Sequence, residues 1–127
     1  MFEVLLVGLG GAIGAVGRYF TALLASKVLI GAEFPLGTLI VNLLGCFLAG
    51  LLIGAASGPL PSRYLTDASK LFLMTGILGG YTTFSALGVE TFLLMRRGQI
   101  GLACLDLGLN LVLGLLLVCI GFKLTSQ

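Results

Sequence analysis

A chain of 127 residues that is 58% hydrophobic and 9% charged, with a formal net charge of +2, departs far from the composition of soluble globular domains. Nothing in it supports hydrolytic or redox chemistry or nucleic-acid binding, since histidine is absent and the seven basic residues are scattered. It reads as an all-α membrane protein, residues 1–127 forming a single transmembrane domain embedded in a lipid bilayer.

Four spans are predicted, Val4–Ala25, Leu36–Ala56, Leu71–Met95 and Ile100–Phe122, each close to the roughly 20 residues that cross a hydrocarbon core about 30 Å thick. In the first, Gly10, Gly14 and Gly17 line one face and let another helix approach closely. The stretch Gly8 to Gly14 loosely matches a dinucleotide fingerprint, but it lies inside an apolar run with no room for a βαβ unit. The span lacks a basic leader and contains Arg18, so it is expected to be retained and not cleaved as a signal. Arg18 has two readings: its side chain snorkels to the interface, or its charge draws anions into a vestibule.

A short link around Ile30 to Pro35 leads into the second span. There Asn42, in Val41-Asn42-Leu43, sits among apolar residues and must face protein or water. Its amide is either interhelical glue or a donor lining an anion path. Gly50 and Gly54 form a second small-residue face. The connection from Ser57 to Ser69, with Gly58, Pro59 and Pro61, is the only substantial predicted loop and is too short for a domain.

In the third span the run Gly76 to Ser85 combines three glycines with four hydroxyl residues and has little intrinsic helicity. It predicts a broken helix. Freed backbone groups at membrane depth need protein, water or an ion, so such a break marks a buried site; a packed glycine kink is the alternative. After a short link at Arg97 to Gln99, the fourth span carries Gly114 and Gly121. Glu90, Asp106 and Asn110 also lie inside apolar spans, and the two carboxylates, nearer the ends, are read as solvated or ion-paired. Cys46, Cys104 and Cys119 are read as small core residues, with no histidine to join them in a metal site.

With four spans, Lys27, Arg96 and Arg97 fall on one side of the membrane and Arg63, Lys70 and Lys123 on the other, three against three. The positive-inside rule then gives no preferred orientation. Insertion both ways and pairing with an inverted copy are predicted, an antiparallel dual-topology dimer with the inverted symmetry that larger transporters build from repeats.

Together the run Gly79-Gly80-Tyr81-Thr82-Thr83-Phe84-Ser85, Val41-Asn42-Leu43 and Arg18 resemble the Fluc (CrcB-type) fluoride channels, over nearly the whole chain. The resemblance implies a dual-topology homodimer in a bacterial inner membrane, with two pores that export fluoride passively and so confer fluoride resistance. It implies Asn42 as a pore donor, Phe84 as a ring whose positive edge meets the anion, and Thr83 and Ser85 as nearby hydroxyls. Arg18 would serve the vestibule, and the backbone carbonyls of Gly79 and Thr82 from both copies would hold a structural Na+. The chain departs from the family pattern at Leu87, where a second phenylalanine is usual, and at Gly114, where a serine is common. The first departure leaves a heterodimeric channel open. A small multidrug-type proton-coupled exporter is the runner-up, although that family needs a glutamate in the middle of the first helix and this chain has only Glu3 at its end. A packing subunit without transport of its own is a third possibility.

Overall fold

The computed structural model describes residues 1–28, 34–57 and 66–126. Among them every regular element is a helix and none is a strand: α1 (Phe2–Val28), α2 (Leu36–Ser57), α3 (Asp67–Lys70), a π-helical segment (Leu71–Leu78), α4 (Gly79–Tyr81), α5 (Phe84–Arg96) and α6 (Ile100–Thr125). Four stretches, Phe2–Lys27, Leu36–Ser57, Asp67–Arg96 and Ile100–Thr125, are long and apolar enough to cross a bilayer.

The helices run past the ends of the predicted spans, because helical hydrogen bonding does not have to stop where the apolar run stops. The third begins at Asp67, where the Thr66 hydroxyl accepts from Ser69 N–H at 3.2 Å and the Asp67 carboxylate sits in the first turn. The predicted loop is accordingly shorter at both ends, with Ser57 in α2 and the helix resuming at Asp67. Gly58, Pro59, Pro61 and Arg63 lie outside the described residues, as do positions 29–33 of the first link. At the predicted link from Arg97 to Gln99, Gly98 adopts φ 75°, which turns the chain between α5 and α6 at a conformation that glycine reaches without strain.

Glycine faces make the close helix contacts. A Cβ on Gly10 would stand 2.7 Å from Phe72 O and 2.9 Å from Gly76 Cα, so α1 rests directly on the backbone of the π-helical segment. Gly14 continues the seam, and Gly17 leaves space for the ring of Tyr81, whose hydroxyl meets Thr21 Oγ1 at 3.1 Å. On the other side, α2 and α6 form the most extensive helix pair, joined through Gly50, Gly54 and Gly121. There a Cβ on Gly121 would stand 2.8 Å from Leu51 N. This is packing by backbone approach, as in membrane proteins, where lipid supplies no hydrophobic drive for larger side chains to interlock.

Candidate functional site

The helical path of the third span stops at two residues. Thr82 (φ −76°, ψ 159°) and Thr83 (φ −151°, ψ 114°) are extended, while Gly79 and Gly80 remain helical. Gly80 is a glycine for a packing reason, since its Cβ would fall 2.9 Å from Gly11 Cα. The extended pair strands backbone groups that hydrocarbon cannot satisfy, and neighbouring side chains take them up. Thr83 N–H donates to Asn42 Oδ1 at 2.9 Å, and Asn42 Nδ2 donates back to Thr83 O at 3.2 Å. Thr83 Oγ1 caps α5 by accepting from Ala86 N–H at 3.2 Å.

The interruption leaves the carbonyls from Gly79 to Thr82 without the helical donors four residues on. In a continuous helix Thr83 N–H would close on Gly79 O and Ala86 N–H on Thr82 O; both donors are turned to side chains instead. Neutral carbonyl oxygens at a membrane-buried break are ligands of the type a hard cation accepts, and the carbonyls of Gly79 and Thr82 are of that type. Arg18 is a competitor at one of them, its Nη1 donating to Thr82 O at 3.4 Å.

Beside the break lies an open groove of about 510 Å³ that brings together Asn42, Thr82, Thr83, Phe84 and Leu87. Phe84 is 84% exposed, whereas Leu87, three residues on, is turned inward and buried. Ser85 stands next to the groove, its hydroxyl 3.2 Å from Thr83 Oγ1. Arg18 and Gly79 are not among the residues lining it, although Arg18 reaches Thr82, which does line it, through the carbonyl oxygen. Cys46, half-buried, and Asn110 also line the groove, and sequence reasoning assigned neither to it.

Asp106 differs from its sequence reading as a solvated or ion-paired group. Asp106 is 0% exposed and has no ion-pair partner among the described residues. It accepts from Thr91 Oγ1 at 3.3 Å and from Asn110 Nδ2 at 3.0 Å, because α6 turns this position toward α5 and away from lipid. Glu90 is half-buried and accepts from Thr38 Oγ1 of α2 at 2.8 Å. Asn110 extends the network to the groove by accepting from Asn42 Nδ2 at 2.9 Å. The overlooked signal was the spacing of Asp106 and Asn110, four apart on one helix face.

Residues 5–122 match the family described as CrcB-like protein, Camphor Resistance (CrcB). The chain is similar to the fluoride-specific ion channel FluC of Methylobacillus flagellatus, with 40% identity over 127 residues that cover 100% of this chain and 97% of that protein. It is 44% identical to the FluC of Thermus thermophilus over 129 residues, covering 98% and 95% of the two chains. Against the FluC of Clostridium perfringens it is 44% identical over 120 residues, covering 94% and 91%.

Proposed function

The chain belongs to the CrcB-like family, and on that premise we propose that it is a fluoride-selective channel for passive export of cytoplasmic fluoride across a bacterial inner membrane. It is a multi-pass membrane protein and not an enzyme. The observation that carries the reading is the juxtaposition of Asn42 and the outward-facing ring of Phe84 in one groove beside the break in the third helix.

The groove is open along one side in a single chain, and Phe84 there has little to pack against. A second copy in inverted orientation closes it, and the three-against-three division of the basic residues other than Arg18 supports that arrangement. The antiparallel homodimer then has two equivalent paths. Hydrogen fluoride that has entered the cell neutral dissociates, and the trapped anion leaves down its gradient. Arg18 raises its local concentration at the entrance. Along the path the ring edge of Phe84 offers weak stabilisation, and the hydroxyls of Thr83 and Ser85 and the amide of Asn42 offer hydrogen bonds. Both amide hydrogens of Asn42 are engaged, so fluoride must share them with Thr83 O or Asn110 Oδ1. Such sharing keeps the site shallow, which fast exit requires.

Gly79 and Thr82 carbonyls of both copies would hold a structural Na+, whose charge offsets the converging carbonyl dipoles at the dimer centre. Leu87 is the one observation favouring a heterodimer, in which a partner chain contributes the second ring.

Fluoride and chloride efflux from proteoliposomes of the purified chain tests the function. Rapid fluoride loss with chloride retained is expected; equal rates, or no flux of either, overturn the reading. A one-sided reporter fused to the C-terminus tests topology, with signal from both faces expected.

A further inference from the structure

Asp106 is fully buried in a membrane-crossing helix and takes no part in the path above. A buried carboxylate is costly unless its oxygens are hydrogen-bonded, and here both are occupied, Oδ2 by Thr91 Oγ1 and Oδ1 by Asn110 Nδ2. We propose that Asp106 is a positioning residue that fixes the orientation of the Asn42 amide through Asn110; its consequence for flux rests on the channel reading.

Asp106 accepts at both oxygens, so Asn110 must turn its NH2 group toward it. Only the carbonyl Oδ1 of Asn110 is then left to face the groove, and it receives Asn42 Nδ2 at 2.9 Å. Asn42 in turn keeps its NH2 on that side and its Oδ1 toward Thr83 N–H. Reversing Asn110 would set two NH2 groups against each other and force Asn42 to turn, presenting a donor to the Thr83 donor. The cap on the helix break is thus tied to a carboxylate on another helix. The backbone carbonyl of Asp106 also accepts from Asn110 Nδ2, at 3.0 Å, and biases the amide the same way. The side-chain oxygen Oδ1 adds a second acceptor on the same side.

Asn42 and Asn110 are the only asparagines of the chain, so selective ¹⁵N-asparagine labelling gives two side-chain amide signals. In Asp106→Ala the Asn42 signal is expected to move and its hydrogens to exchange roughly tenfold faster, with fluoride efflux falling roughly tenfold and the fluoride-to-chloride ratio dropping. In Asp106→Asn, where an oxygen can still accept from Asn110, the Asn42 signal and the efflux are expected to stay within about threefold of the original chain. An Asn42 signal unmoved by alanine, or moved as much by asparagine as by alanine, overturns the positioning role. If the original chain passes no fluoride while the Asn42 signal still responds to alanine alone, the channel reading fails and the positioning role stands. Should the alanine variant not assemble, Asp106→Ser is judged by the same two signals, since its shorter hydroxyl also removes the carboxylate acceptor.

Discussion

Asn42 and Thr83 form a closed pair across the break in the third span: Thr83 N–H donates to Asn42 Oδ1 at 2.9 Å and Asn42 Nδ2 donates to Thr83 O at 3.2 Å. The side-chain amide thereby replaces the helical acceptor that Thr83 N–H gives up and adds a donor to the carbonyl that opens α5, which lets an extended residue persist among apolar helices.

Replacing Asn42 by aspartate keeps an acceptor for Thr83 N–H but sets a second oxygen against Thr83 O and Asn110 Oδ1. Each acceptor left without its donor costs about 1–3 kcal/mol, and the carboxylate adds negative charge to an anion path. Fluoride efflux of Asn42→Asp is expected to fall to the rate of protein-free liposomes. Efflux at the original rate would show that the amide is not on the path.

Phe84 is 84% exposed within its own chain, so Phe84→Leu should alter the fold of the single chain by no more than about 0.5 kcal/mol. Leucine has no ring edge to offer an anion. The variant is expected to elute and melt like the original while losing most fluoride efflux. Retained efflux in a well-folded sample would remove the ring from the mechanism.

Alanine at Gly14 would place its Cβ 2.8 Å from Tyr81 N and 3.0 Å from Ile77 C, backbone atoms that cannot swing aside. Overpacking of this kind costs about 1–3 kcal/mol. Gly8 has nothing within 4 Å of such an atom. Thermal unfolding in detergent should therefore show Gly14→Ala clearly destabilised and Gly8→Ala close to the original; the reverse order would mean that α1 does not rest on the third span as described.

Arg18→Gln removes the only charged side chain that touches the break among the described residues. If the charge gathers anions at the entrance, efflux drops severalfold at low ionic strength. The deficit should shrink as salt approaches about 0.15 M, where the screening length is about 8 Å. A deficit independent of salt would assign Arg18 to packing on Thr82 instead.

Much of the fold was legible in the sequence because the length of an apolar run is itself the physical requirement for crossing a bilayer. Spacing also exposed the glycine faces of the first, second and fourth spans, although it could not tell that Gly10 would lie on Phe72 and Gly76, or Gly121 on Leu51. In the polar run of the third span Gly76 and Gly80 serve packing on Gly10 and Gly11, and the two threonines, not the glycines, are the extended residues. Asp106 was misread because position along a span says how near a residue is to water only if nothing covers it. Thr91 and Asn110 cover it.

Read along the chain alone, the residues establish that it crosses a membrane, which segments do so and that Asn42 needs a partner. Each of these depends on composition or on neighbours along the chain. That Asn42 caps Thr83 and reaches Asn110, partners 41 and 68 positions away, is set by how separate helices pack. The direction of a hydrogen bond depends on which faces of separate helices meet, and no local pattern encodes that meeting.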